Sequence, residues 1–269
     1  MDSAGGLPND DNFQIVEYPF ALRGGKPKRV CVPKSAKLEA GLITMARSWE
    51  YLTLAQTYAQ AARGGSFVEV GANLGSDTVI AADFFKTVYA FEPAAANRRL
   101  LQKTIELNGL VNVQILPAAV SDKPGRAKFY LKEGDNTAVH SLHPNDPDMK
   151  PAEDVDVVTL DTAFDNSVRD VTYLHIDTEG HDIKVLQGGR QFIARQANRP
   201  VIRMEFQPRT LAAHGSDVSE IIAFIQEFQY RPFYMAGNFM VPLSETILTE
   251  MFRLWRGTQG WIDVFLAAL

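Results

Sequence analysis

One cysteine, Cys31, among 269 residues leaves the chain without an intrachain disulfide, so a packed core has to hold the fold. Positive charge is also in short supply, with 27 Lys and Arg against 32 Asp and Glu for a formal net charge of −5. No broad basic surface is left to neutralise a phosphate backbone, so nucleic acid is not expected as a main partner. A neutral or cationic small molecule suits the balance better. No apolar run approaches the ~20 residues of a membrane span. Residues 1–12 lack the basic flank and apolar stretch of a secretory signal, and a cytoplasmic location is the expectation. Arg23, Lys26, Lys28 and Arg29 cluster among Gly24, Gly25 and Pro27, which reads as a solvated loop.

With 46% apolar and 22% charged residues the chain can bury a sizeable core. No internal repeat interrupts it, and three stretches are expected. Residues 1–12 read as a flexible start, 13–65 as a helical cap segment, and 66–269 as one α/β domain with an inserted loop at about 132–153. In the cap, a helix over about 47–63 sets Tyr51, Leu52, Ala55, Tyr58, Ala59 and Ala62 on one face, and Gly64-Gly65 stops it.

Five short apolar runs follow, at 67–70, 88–91, 113–116, 173–176 and 201–206, and helix-like segments such as 97–107 separate the first three. That alternation predicts right-handed βαβ crossovers and a mostly parallel sheet flanked by helices. Strand pieces at 127–131 and 155–160 surround the polar loop 134–151. After a helix at 218–228, the runs 231–235 and 239–241 flank Ala236-Gly237-Asn238 as a hairpin, and 262–266 is a last apolar strand. Antiparallel C-terminal strands on a parallel sheet suit a methyltransferase better than a dinucleotide dehydrogenase, by fold analogy.

The chemistry concentrates at the strand ends. Glu69-Val70-Gly71-Ala72-Asn73-Leu74-Gly75-Ser76 carries a strand into a glycine turn and a helix. A pyrophosphate-binding fingerprint needs glycine where Asn73 and Ser76 stand. S-adenosylmethionine has no phosphate and needs less backbone clearance, so Gly71, Asn73 and Gly75 suit it, and Glu69 suits its ammonium group. About twenty residues on, Glu92 ends the second strand where a ribose-binding carboxylate is expected. After the third, Ala119 offers a small wall for adenine and Ser121-Asp122 its polar edge.

After the fourth strand, His175-Ile176-Asp177-Thr178-Glu179-Gly180-His181-Asp182 gathers titratable groups. Asp177 is the candidate base, beside the bound cofactor, with Glu179 or His181 assisting. A divalent metal shared with Glu205 is the alternative use of that carboxylate. Asp182 reads equally as a helix-start acid and His175 as a core residue; His140 and His143 have the separation of a metal pair and could close over the acceptor, but without a third ligand they read as surface residues of the inserted loop. The end of the fourth strand is expected beside that of the second.

These blocks together resemble the FkbM methyltransferases: 68–75, then 89–93 with Leu107-Asn108-Gly109, then 118–122, 158–161, and 175–180 with Val185-Leu186-Gln187-Gly188. The resemblance spans roughly 67–207. It implies a class I methyltransferase fold, S-adenosylmethionine as methyl donor, and O-methylation of sugars, polyketides or related metabolites. Glu69 stands where the family often has aspartate, and His175 and His181-Asp182 replace its lysine and acidic residues. A nucleotide-cofactor oxidoreductase and a non-catalytic S-adenosylmethionine-binding module are the alternatives.

Overall fold

The computed structural model describes residues 12–21, 26–44, 48–132, 140–144, 148–237 and 239–268. The chain opens with strands β1 (Phe13–Ala21) and β2 (Pro27–Pro33), then helices α1 (Lys37–Thr44) and α2 (Ser48–Ala62). A first half of the sheet follows as β3 (Ser66–Val70), α3 (Ser76–Ala81), β4 (Val88–Phe91), α4 (Ala95–Leu107) and β5 (Val113–Leu116). Next come β6 (Ala119–Val120), β7 (Gly125–Lys132), β8 (His140–Ser141) and β9 (Met149–Val158). The second half holds α5 (Leu160–Ala163), β10 (Val171–Ile176), α6 (Asp182–Gln187), α7 (Arg190–Ala194) and β11 (Val201–Phe206). The chain closes with α8 (Pro208–Ala213), α9 (Val218–Phe228), β12 (Tyr230–Ala236), β13 (Phe239–Pro242), α10 (Glu245–Trp255) and β14 (Ile262–Ala268).

The large sheet runs β13-β12-β14-β11-β10-β3-β4-β5, with β5, β4, β3, β10 and β11 parallel. β14 inserts antiparallel between β11 and β12, and β13 returns antiparallel on β12. This is the class I methyltransferase architecture the sequence implies. All five residues of β3 are buried, as a central strand covered on both faces requires. Winding reverses between β3 and β10, since β4 and β5 extend the sheet on one side and β11 on the other. The crevice outside the strand ends opens at such a reversal. The end of β10 therefore lies beside β3 and β11, and the expected neighbour β4 is one strand away.

The N-terminal segment departs from the helical expectation, because β1 and β2 pair as an antiparallel hairpin before α1. Its pattern is a strand's: Val16 and Tyr18 are buried while Ile15 and Glu17 face outward. Lys28 and Arg29 are not loop charges either. Lys28 pairs with Asp83, and Arg29 donates to the Leu107 carbonyl at 2.8 Å, which fastens β2 to the first half of the sheet. Arg23 lies outside the described residues. On α2 the buried face is Leu54, Ala55, Tyr58 and Ala62 while Ala59 faces out; Tyr51 and Leu52 fall outside the described side chains.

β6, β7, β8 and β9 form a second sheet of order β6-β9-β7-β8 over the strand ends; the insertion expected at about 132–153 falls between β7 and the end of β9, and Leu160 begins α5 rather than continuing β9. Residues 133–139 and 145–147 of that insertion lie outside the described set, as does Asn238 of the β12–β13 turn. One core cluster packs β10, β11 and β14 against α6, α7 and α9, and another seats the hairpin and α2 on the opposite face. No helix among the described residues is long and apolar enough to cross a membrane.

Candidate active site

The turn from β3 into α3 is held in left-handed backbone conformations at Gly71 (φ 93°), Asn73 (φ 50°) and Gly75 (φ 92°). The Gly71 and Ala72 amides donate to the Phe91 carbonyl at 3.1 and 2.9 Å, which pins the turn to β4. A Cβ on Gly71 would lie 1.8 Å from the Asp177 carbonyl oxygen. A side chain there therefore meets the end of β10 and does not project into the crevice as expected. At Gly75 the added carbon would meet the Leu101 side chain at 2.6 Å, so this glycine serves packing against α4 and lies off the cleft.

Glu92 is the buried carboxyl on one side of the cleft. It is 3% exposed, and its two oxygens accept from the Asn73 and Ala94 amides at 2.8 Å each. Burial pushes its carboxyl up to about 7 against the pull of those amides. The Asn73 side chain accepts from Asn97 Nδ2 at 2.9 Å, and the same amide nitrogen lies 3.1 Å from His140 Nδ1. Burial holds His140 down at about 4, hence neutral. Asn97 and His140 were not among the expected site residues, because only the folding of β8 onto α4 brings them to Asn73.

These groups line a cleft, with Val70, Pro93, Ala119 and Phe129 as apolar wall and Asp177, Thr178, Glu179 and His181 on the far side. The Asp177 amide donates to the Val70 carbonyl at 2.9 Å, which draws the end of β10 to the glycine turn. The Asp177 carboxyl opens to the cleft while protein encloses its other sides. That enclosure raises its pKa, and nearby His175 draws it back in part. Oxygens of Asp177, Glu179 and Glu205 all lie within 4.8 Å of one another. Glu205 Oε2 is buried without a hydrogen-bond partner, and burial together with repulsion from Asp177 and Glu179 raises its pKa well above the usual range. Asp182, fully buried, accepts from the Gly180 amide at 3.1 Å and the Thr178 amide at 3.4 Å. It shapes the turn before α6, and burial with the Asp177 charge lifts it to about 7.

The remaining expected residues sit elsewhere. Glu69 accepts from the Thr78 hydroxyl and lies 3.7 Å from His175 Nδ1, so its carboxylate turns beneath the glycine loop, away from the cleft lining. There it joins a buried network in which Arg203 bonds Asp77 at 3.0 Å and Asp263 at 2.8 Å, and Tyr58 donates to Asp77 at 2.9 Å. His175 is in this network, 4% exposed, as a core residue should be. Asp122 accepts from Ser121 Oγ at 3.0 Å, and Ser121 Oγ is 2.8 Å from His181 Nε2. That pair engages His181 and is not part of the cleft lining.

The family model of the methyltransferase FkbM domain matches residues 69–232. The chain belongs to this family. It is accordingly an S-adenosylmethionine-dependent methyltransferase, and the matched segment contains the whole cleft lining, from Val70 to His181. Solved structures of similar shape include an rRNA methylase from Streptococcus thermophilus, at 12% identity over 84% of this chain and 99% of that one, TM-score 0.47. A SAM-dependent methyltransferase from Aquifex aeolicus is 10% identical over 82% and 90%, TM-score 0.45. A SAM-dependent O-methyltransferase from Thermotoga maritima is 13% identical over 93% and 77%, TM-score 0.41. No match is found among curated proteins.

The cleft of this FkbM methyltransferase fits its methyl donor by donor chemistry. Each Glu92 oxygen accepts one amide and keeps a lone pair for a hydroxyl. The buried Thr178 hydroxyl on the far wall has no protein partner.

Proposed function

We propose that this methyltransferase transfers the methyl group to a hydroxyl of a small acceptor, a sugar, glycan or secondary metabolite, with Asp177 as the general base. S-adenosylmethionine supplies an electrophilic methyl on a sulfonium. Glu92 accepts the ribose hydroxyls, Gly71 and Asn73 border the cofactor, and Ala119 with Val70 and Phe129 walls the adenine.

The observation that carries the reading is the position of the Asp177 carboxyl. It opens to the cleft at the end of β10, one hydrogen bond from the glycine turn, and its surroundings favour its protonated form. A hydroxyl is a poor nucleophile, and a carboxylate of raised pKa is a better acceptor for its proton than an ordinary one. Glu179 stands beside Asp177 to orient the acceptor. His181 is less suited to the proton, since its Nε2 is engaged by Ser121 and burial holds it down at about 4. The acidic far wall and the net charge of −5 favour a neutral or cationic acceptor over RNA. Convergence of Asp177, Glu179 and Glu205 supports a second arrangement, a divalent cation on the same carboxylates.

Incubation with methyl-labelled S-adenosylmethionine and a panel of sugars, metabolite alcohols and ribosomal RNA tests the reading. Label recovered as a methyl ether of a small acceptor supports it. Label on carbon, nitrogen or RNA overturns it, and loss of activity on chelation with recovery on added Mg²⁺ favours the metal arrangement.

A further inference from the structure

Three histidines from distant parts of the chain form a triangle beside the cleft. His143 follows β8, His181 caps the N-terminus of α6, and His214 caps the C-terminus of α8. Their ring centroids are 5.2 Å (His143 to His214), 5.7 Å (His181 to His214) and 6.1 Å (His143 to His181) apart. A zinc–nitrogen bond of about 2.0–2.1 Å puts an imidazole centre about 3.2 Å from the ion, so tetrahedral ligands have centres about 5.2 Å apart. The triangle is that size, slightly expanded.

Hydrogen bonding decides which nitrogens are free. The Ser121 hydroxyl donates to Asp122 Oδ1 at 3.0 Å, so it can only accept from His181 Nε2, 2.8 Å away. The His181 proton then sits on Nε2 and its lone pair on Nδ1. That ring is 7% exposed, and Nδ1 is buried with no hydrogen-bond partner. At His214, Nε2 lies 3.5 Å from Ser141 Oγ, and Nδ1 is likewise buried and unpartnered. A carboxylate or hydroxyl behind an imidazole N–H is how metal-ligating histidines are commonly oriented.

We propose that His143, His181 and His214 form a site for a zinc-class transition-metal ion, with one coordination position left toward the cleft. His143 is exposed and has room to turn its nitrogen onto the other two, which the present ring positions leave short of convergence. The bound ion clamps the segment after β8 to α6 and α8, along the wall that His181 lends to the cleft. Imidazole nitrogen selects zinc, nickel or copper, whereas the neighbouring carboxylates would select magnesium or calcium. The site does not depend on Asp177 being the base.

The test is titration of chelator-stripped full-length protein with Zn²⁺ against a chromophoric competitor, with circular dichroism to confirm folding. The expected result is one Zn²⁺ per chain bound at about micromolar or tighter, undisturbed by a hundredfold excess of Mg²⁺. His143→Ala and His214→Ala each weaken binding by roughly 100-fold or more, and Ser121→Ala by about 10-fold through the lost support of His181. Asp177→Asn leaves it within about threefold. Because His143 is exposed, its variant tests the site without disturbing the core. Absence of stoichiometric Zn²⁺ binding overturns the proposal. So does binding that both histidine variants retain, or binding that Asp177→Asn abolishes.

Discussion

Glu92 and Glu205 are both glutamates at the C-terminal end of a sheet strand, and the protein treats them in opposite ways. Each Glu92 oxygen receives a backbone amide at 2.8 Å. Glu205 keeps one oxygen buried without a partner and faces Asp177 and Glu179 across less than 4.8 Å. The half of the cleft proposed for the cofactor is thus built from backbone donors that hold its carboxylate in place before anything binds. The proposed acceptor half is built from crowded carboxyls whose mutual repulsion favours uptake of a proton, a cation or a hydroxyl donor. One half is prepared for a fixed ligand, and the other is prepared to take up a proton.

Substitutions at four positions sharpen or break this contrast, and the largest effect belongs to the proposed acceptor half. Asp177→Asn keeps size and removes the proposed base, so kcat should fall roughly 10²–10⁴-fold. Steady-state kinetics at saturating methyl donor reads this; an unchanged kcat removes the acceptor half from the chemistry. Gly71→Val joins the two halves by collision, since its Cβ points at the Asp177 carbonyl from a left-handed backbone position. Overpacking and backbone strain should together cost about 3 kcal/mol or more, a fall in Tm of about 6–12 °C. A variant that melts normally and loses only donor binding would place the side chain in the crevice after all.

Glu92→Ala should weaken S-adenosylhomocysteine binding through lost ribose hydrogen bonds worth on the order of 1.5–3 kcal/mol each. A pH series sharpens this. The Glu92 carboxyl titrates at about 7, and its ionised form is the better acceptor for two hydroxyls, so affinity should decline as pH falls below 7. Glu92→Gln should flatten the decline, and an identical slope in calorimetry would assign it elsewhere.

The smallest effect is on stability. The raised Glu205 pKa means that the folded state holds a proton the unfolded chain releases near 4.5. Stability is therefore full below that value and is lost as pH rises toward the folded pKa. Glu205→Gln should raise Tm by a few degrees at pH 8 and leave it unchanged at pH 4. Equal shifts at both pH values would mean that the carboxyl crowding is already relieved.

The same contrast explains how much was legible in the sequence. The parallel strands, the glycine turn and Glu92 follow from apolar runs and local spacing, because one strand, one turn and one carboxylate share a single βαβ unit. Gly71 was legible as a glycine, but the direction of its missing side chain depends on β10, a hundred residues later. Glu69 shows the limit of spacing: its carboxylate belongs with His175 and Thr78 under the loop, which is decided by the facing of β3 against β10. The β1–β2 hairpin was hidden because Pro19 stands within its first strand and its turn reads as a plain basic loop. α10 was missed although Ser244 caps it, its side chain accepting from the Ile247 amide at 3.2 Å. Asn97 carries no local signal of a site role, and although His181 and the His140–His143 pair stand out in the sequence, nothing local joins His143 and His181 to His214. Their partners come from separate elements that only the second sheet brings together.

The division of the cleft is tested most directly by measuring S-adenosylhomocysteine affinity and single-turnover methyl transfer side by side in Glu92→Ala and Asp177→Asn. The account predicts a double dissociation. Glu92→Ala should lose at least about tenfold in affinity while retaining transfer at saturating donor, and Asp177→Asn should hold affinity within a few fold while transfer collapses. Asp177→Asn losing as much affinity as Glu92→Ala, or transferring methyl at the unmodified rate, would contradict it.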